Sequence, residues 1–291
     1  MTETIKRGVP ERHSPFLFVI GILKPLAGSL VKAPAEKKAG HNCPDQASGR
    51  TMKKSCLFLF ISIFLTTNAI AQAHIDTSRF RTQRKKMVHD QIVARGIDDP
   101  RILTAMAAVP RHAFVPKQLH PRAYDDHPLP IGEGQTISQP YIVALMTKVL
   151  ELNGNERVLE VGTGSGYQAA VLARVAQNVH SIEIKKKLCR RAAETLADIG
   201  FDSIQTRCGD GYFGWPEAAP FDAIMITAAV DHIPPPLVKQ LKEGGRLVLP
   251  LGNPFVYQNL VLVTKENNDI KVQSITGVLF VPMTGHALER R

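Results

Sequence analysis

From residue 157 onward, apolar runs of strand length alternate with segments of helical spacing. Strand-like runs fall at 157–161, 179–184, 203–208, 222–227 and 246–250, with helical spacing near 167–176, 185–199 and 234–243. Such alternation predicts a parallel sheet covered on both faces, because each crossover helix returns the chain to the same end of the sheet. Two later runs, 259–264 and 274–281, have no helix-length segment between them and are expected to pair as an antiparallel hairpin at the sheet edge. Upstream, 80–96 reads as a helix with a basic face, stopped by Gly96, and 100–109 as a second, short helix. The stretch 128–139 is rich in Gly and Pro without a period and is expected to be a loop. Ile142, Leu145, Met146, Val149 and Leu150 then give helical spacing after Pro140, whose fixed φ suits a first turn.

The most informative stretch is 158–166, Val-Leu-Glu-Val-Gly-Thr-Gly-Ser-Gly. It predicts a buried strand, a tight turn in which Gly162, Gly164 and Gly166 permit close approach of a ligand, and a helix starting at Tyr167. A dinucleotide fingerprint needs its third glycine where this chain has Tyr167, which argues against NAD. Glu160 just before the turn would repel a phosphate but suits a cationic cofactor such as S-adenosylmethionine, which carries a sulfonium and an ammonium. Glu183, near the end of the next strand, is placed to accept from ribose hydroxyls. Ligands of open α/β sheets lie beyond the carboxyl ends of the strands. That rule gathers Glu160 to Gly166, Glu183, Gly209-Asp210-Gly211 and Thr227-Ala228-Ala229 on one rim. Asp210 reads either as an acceptor for an adenine amino group or as an ordinary Asp-Gly turn.

The formal net charge of +10 suggests a polyanion partner until it is located. Ten of the 36 basic and four of the 26 acidic residues lie in 1–73, so six of the ten net charges precede the domain. Nucleic acid is therefore not an expected partner. Met52-Lys53-Lys54, an apolar run over 56–65 and Ala69-Ile70-Ala71-Gln72-Ala73 have the form of a secretory signal peptide. The run is too short for a membrane span. Translation from Met52 is the expected explanation of the segment before it, and 74–291 is expected to form one domain. Of the four cysteines, Cys189 and Cys208 lie in that domain; they lack metal spacing and are expected to pack as small apolar residues rather than as a disulfide framework. His112, His127, His180, His232 and His286 are scattered without paired spacing, so no metal site is expected.

The polar segment Gly132-Glu133-Gly134-Gln135-Thr136-Ile137-Ser138-Gln139-Pro140-Tyr141 precedes the helix that leads into the first sheet strand. Ser138 could cap that helix. Together with Glu-Val-Gly-Thr-Gly-Ser-Gly at 160–166, Gly-Asp-Gly at 209–211, Gly-Gly-Arg-Leu-Val-Leu-Pro-Leu-Gly at 244–252, Val-Pro-Arg-His-Ala-Phe-Val-Pro at 109–116 and Phe280-Val281-Pro282-Met283-Thr284, it resembles the protein-L-isoaspartate (D-aspartate) O-methyltransferase family over about residues 80–285. The glycine loop is common to many methyltransferases; the Thr-Ile-Ser-Gln-Pro segment is much more specific.

The resemblance implies a Rossmann-like α/β methyltransferase: a mostly parallel doubly wound sheet with an antiparallel C-terminal hairpin and an N-terminal helical extension. It implies S-adenosylmethionine as cofactor and the free α-carboxylate of L-isoaspartyl residues in damaged proteins as acceptor. Ser138 would orient that carboxylate. Thr136, Ile137, Glu160, Gly162, Thr163, Gly164, Gly166, Glu183, Ile184, Gly209, Asp210 and Thr284 would surround the cofactor. It also implies a cytoplasmic location, whereas the signal-peptide-like stretch at 52–73 points instead to export to the periplasm; a monomer without stable membrane association is expected.

Other readings make different demands. Amino-methylating nucleic-acid enzymes carry an aromatic after a Pro-Pro motif, and the segment Asp231-His232-Ile233-Pro234-Pro235-Pro236-Leu237 has none. A Pro-Cys nucleophile is absent from the domain. A non-catalytic binding module would not need both the glycine loop and Ser138.

Overall fold

A computed structural model describes residues 76–267 and 269–289. The signal-peptide-like stretch and the expected boundary at residue 73 lie outside the described residues. The N-terminal extension opens with α1 (Ser78–Met87), where the side chain of Thr77 accepts from the backbone N–H of Phe80. The helix expected over 80–96 is present but changes pitch, passing through a π turn at Val88–Ile92 and a 3-10 turn at Val93–Arg95 before Gly96 stops it in the left-handed region. α2 (Pro100–Ala108) starts on Asp99, whose carboxylate caps the N–H of Arg101.

The segment 128–139 is not a plain loop. It forms a hairpin of β1 (Leu129–Gly132) and β2 (Gln135–Ile137), turning through Glu133 and Gly134, both with positive φ. Two consecutive positive φ values are what a two-residue hairpin turn with the strands' own twist requires. Glu-Gly is a weaker signal for it than Asn-Gly, and Pro130 within β1 disguises the strand.

After α3 (Pro140–Val149) the alternation is regular: β3 (Arg157–Val161), α4 (Tyr167–Leu172), β4 (Asn178–Glu183), α5 (Lys186–Asp198), β5 (Gln205–Cys208), β6 (Phe221–Ile226), α6 (Pro235–Gln240) and β7 (Leu241–Gly252). β8 (Gln258–Glu266), β9 (Asp269–Val278) and a short α7 (His286–Glu289) complete the described chain. The main sheet has the order β5-β4-β3-β6-β7-β8-β9; the pairs from β5 to β7 are parallel, and β8 is antiparallel to both neighbours. The expected edge hairpin is present, and the fold is the α/β Rossmann-like class.

Period-2 alternation divides the core between the two faces of the sheet. Val158, Ala223, Met225 and Val248 belong to a cluster shared with the N-terminal extension and α3–α5. Their neighbours Leu159, Ile224, Ile226, Leu247 and Leu249 join a second cluster with α6. A fully buried Arg111 ties the extension to the sheet domain: its Nε donates to the Ala123 carbonyl and its guanidinium lies over the Tyr167 ring at the head of α4.

One expectation fails. Cys189 in α5 and Cys208 at the end of β5 do not pack as separate apolar residues; they are joined by a disulfide. α5 crosses back to deliver β5, so the crossover brings together two thiols 19 residues apart in sequence.

Candidate active site

Because the chain runs from β3 outward to β5 and then returns to β6 on the other side, β3 and β6 flank a topological switch point, where open α/β sheets hold their ligands. The crevice there opens into a cleft of about 840 Å³, solvent-open space included, a size suited to a nucleoside cofactor. The glycine loop forms its floor. Gly162 sits at φ 102°, its N–H donating to the Ile182 carbonyl at 2.8 Å, and a Cβ there would lie 2.4 Å from Thr227 Oγ1. Glycine is needed for both reasons. Thr227, just beyond β6, donates its N–H to the Val161 carbonyl at 2.9 Å and its hydroxyl to the Gly162 carbonyl at 2.6 Å. Three strand ends are thus stapled into one rigid rim.

Two carboxylates project into this floor in different states. Glu183 is held by backbone: Oε2 accepts from Gly164 N–H at 2.8 Å and Oε1 from Lys185 N–H at 2.9 Å. Glu160 is fully buried; Oε2 accepts from Ser181 Oγ at 2.5 Å, and Ser181 Oγ also pairs with Thr163 Oγ1 at 2.6 Å. Its Oε1 has no partner. Burial pushes the Glu160 carboxyl up to about 8, against the Ser181 hydrogen bond and with a further push from the Glu183 charge.

The opposite wall comes from outside the parallel sheet. The β1–β2 hairpin brings Thr136 and Ile137 to the cleft, and Ser138 follows directly. The cap position of α3 is Gln139, and no side chain caps that helix, so capping does not account for Ser138. Gln139 instead anchors the turn, its Nε2 donating to the backbone carbonyl and carboxylate of Asp126. The segment Phe280–Thr284 closes the third side, pinned beside the β6 rim by Ala229 N–H to Val281 O at 2.8 Å and Met283 N–H to Ala229 O at 2.9 Å.

Of the residues singled out in the sequence, Thr136, Ile137, Ser138, Glu160, Gly162, Thr163, Gly164, Glu183, Ile184 and Thr284 converge on this cleft. Gly166, Gly209 and Asp210 do not line it. Gly166 heads α4 in the left-handed region, with Leu196 of α5 packed 3.3 Å from where a Cβ would stand. Asp210 accepts from Tyr212 N–H through Oδ1 and from His286 N–H through Oδ2, both within 2.9 Å, so it links the C-terminal segment to the rim. Sequence reasoning missed Ser181. It sits inside a buried apolar run, and nothing in the sequence marks it as the hydroxyl between Glu160 and the loop. Of the scattered histidines, His180 is a core residue packed edge-on against Trp215 and Phe221, and burial lowers its pKa.

An unpartnered, buried carboxylate oxygen beside a glycine loop fits an ammonium group, and Glu183 fits a neighbouring ribose. Fold and site together define an S-adenosylmethionine-dependent methyltransferase. Comparison with known proteins narrows this further. The family model for protein-L-isoaspartate(D-aspartate) O-methyltransferase matches residues 82–288. Protein-L-isoaspartate O-methyltransferase 2 of Shewanella sediminis is 64% identical over 235 residues, 80% of this chain and 96% of the relative. Protein-L-isoaspartate O-methyltransferase of Opitutus terrae is 52% identical over 225 residues, 77% of this chain and 97% of the relative. Among solved structures, a protein-L-isoaspartate O-methyltransferase aligns with TM-score 0.65 at 32% identity, covering 71% of this chain and 68% of that one. A Plasmodium falciparum protein assigned provisionally to the same activity, in complex with S-adenosyl-L-homocysteine, aligns with TM-score 0.61 at 26% identity, over 69% of this chain and 98% of that one. The chain belongs to the protein-L-isoaspartate (D-aspartate) O-methyltransferase family.

Proposed function

We propose that the chain methylates the free α-carboxylate of L-isoaspartyl residues in damaged proteins, with Ser138 positioning that carboxylate. The observation that supports the reading is that Ser138, which does not cap α3, lines the same cleft as Glu160 and Glu183. S-adenosylmethionine supplies an electrophilic methyl group on a sulfonium leaving group. The acceptor carboxylate is already ionised near neutral pH, so no general base is required. What the protein must provide is alignment and exclusion of water. The Ser138 hydroxyl donates to one acceptor oxygen and so aims the other. Ile137 and Phe280 wall the cleft with apolar surface. Glu160 and Glu183 hold the cofactor's ammonium and ribose. The methyl ester then cyclises without further help, the backbone nitrogen of the following residue attacking the ester carbonyl and expelling methanol to leave a succinimide. Substrates are isoaspartyl-containing proteins and peptides, recognised largely through backbone because damaged sites vary in sequence. The protein acts as a monomer and does not bind nucleic acid.

The test is methyl transfer from labelled S-adenosylmethionine to one peptide in isoaspartyl and normal aspartyl forms. Base-labile label on the isoaspartyl form alone is expected; label on neither, with cofactor bound, would redirect the search to another acceptor.

On location, the disulfide favours export over cytoplasmic residence, since structural disulfides form and persist in oxidising compartments. It agrees with the signal-peptide-like stretch at 52–73, and it requires that cofactor reach that compartment. Among the described residues no helix is long and apolar enough to cross a membrane. Thiol alkylation of the chain as isolated from cells of a bacterial host should leave Cys189 and Cys208 unlabelled in the periplasmic fraction. Recovery of the chain only in the cytoplasm, with both thiols reactive, would restore the cytoplasmic reading.

A further inference from the structure

The strand ends on the far side of the cleft carry an apolar surface that the methyl-transfer chemistry does not use. Phe255, Val256 and Tyr257 in the β7–β8 turn and Leu279 just past β9 are large apolar side chains 56–76% exposed. β7 runs parallel to β6, so its end at Gly252 and the turn that follows lie on the same carboxyl-end rim as the cleft. β9 also ends there and continues directly into Phe280, which lines the cleft.

The two apolar segments are built to stand side by side. Gln258, fully buried, donates from Nε2 to the Asn253 carbonyl at 2.8 Å and accepts from Phe280 N–H through Oε1 at 2.8 Å, clamping the turn to the cleft-lining segment. In the β8–β9 ladder Asn259 faces Gly277, so Tyr257 and Leu279, two residues further on each strand, share that face. A Cβ at Gly277 would lie 2.0 Å from the Tyr257 hydroxyl and 2.8 Å from its Cζ. The phenol therefore lies across a glycine in a strand interior, where glycine otherwise only weakens the strand. The ring has a seat.

We propose that Phe255, Val256, Tyr257 and Leu279 form a docking shelf for apolar side chains flanking the isoaspartyl residue of a substrate polypeptide. The proposal rests on the methyl-transfer reading above. Its warrant is continuity: the shelf is joined through Gln258 and Phe280 to the wall of the cleft, within reach of the residues flanking one that enters the cleft. The shelf adds a bias toward damage within apolar sequence to recognition that is otherwise through backbone.

The experiment compares two isoaspartyl peptides differing only in flanking residues, Phe and Leu in one, Gly and Ser in the other. Wild-type kcat/KM should favour the apolar-flanked peptide by about five- to tenfold, expressed in KM, the size expected for partial burial of one large side chain. Tyr257→Ser with Leu279→Ser should bring that ratio close to one. Gly277→Ala, which alters no shelf residue chemically but displaces the Tyr257 ring, should reduce it. Equal wild-type efficiency on both peptides, or a preference that survives both variants, overturns the shelf. So does sedimentation showing a wild-type dimer that the double variant dissociates, since the patch then joins two copies. Methylation of neither peptide overturns the activity reading itself and the shelf with it.

Discussion

The two walls of the cleft are made differently. The wall proposed to hold the cofactor consists of ends of the parallel strands, where Thr227 donates to the Gly162 carbonyl, Glu183 accepts from Gly164 N–H, and Ser181 joins Glu160 to Thr163, with Ser181 and Glu183 buried. The wall proposed to face the acceptor is assembled from a small hairpin and from chain beyond β9, and much of its border is exposed. A ligand that is the same in every turnover favours a preorganised surface, because ordering is then complete before binding. An acceptor that varies in sequence favours few fixed polar groups and adaptable apolar surface. Changes on the cofactor wall should therefore act on cofactor affinity and stability together. Changes on the acceptor wall should act on turnover or substrate choice alone.

The sharpest way to break the comparison is Gly162→Ala. A side chain at that φ costs about 1–2 kcal/mol, and it also displaces the Thr227 hydroxyl from its 2.6 Å bond to the Gly162 carbonyl. Cofactor affinity should fall by about a hundredfold and the melting temperature with it; calorimetry that finds either unchanged would show the loop is less rigid than its bonding suggests.

On the other wall, Ser138→Ala should lower kcat by about 10- to 100-fold, the loss expected when a reacting group is left misaligned. Cofactor binding should be nearly unaltered, and a large rise in its dissociation constant would place Ser138 on the wrong wall. Glu183→Ala should have the opposite signature. The cofactor dissociation constant should rise about tenfold or more, because the proposed ribose acceptor and the Gly164 N–H partner are lost at once. An unchanged constant would remove Glu183 from the site.

The smallest effect is a pH dependence. The Glu160 carboxyl is raised to about 8 from 4.5 in the unfolded chain, so between those values the native state holds a proton that the unfolded state has released. Its contribution to stability is complete below 4.5 and is lost as pH rises through about 8. A cationic cofactor favours the ionised form, so its affinity should rise over the same interval with release of a proton. Glu160→Gln should flatten both profiles, as read by thermal melts and titration calorimetry. A variant with the wild-type pH slope would mean that another group carries it.

Much of the cofactor wall was legible in the sequence because its parts are local. The apolar run, the acid and the alternating glycines of 158–166 specify a strand, a turn and a helix start within nine residues, and Glu183 follows from the same pattern one strand later. The acceptor wall was legible only through resemblance. The hairpin at 129–137 was hidden because Pro130 masks a strand and Glu133 occupies a turn position more often held by Asn or Asp. Asp210 was placed on the right rim, but its carboxylate serves Tyr212 and His286, a partner 76 residues away.

What the sequence by itself determined is whatever periodicity and backbone preference can carry: the order of strands and helices, the parallel sheet with its edge hairpin, the glycine loop and its acid. Those follow from interactions among near neighbours. Only the tertiary structure decided that Cys189 and Cys208 are bonded, that Ser181 bridges Glu160 to Thr163, and that Gly277 seats Tyr257. Each of these depends on which strand lies beside which and in what register, and a one-residue slip would turn the side chains concerned to the opposite face.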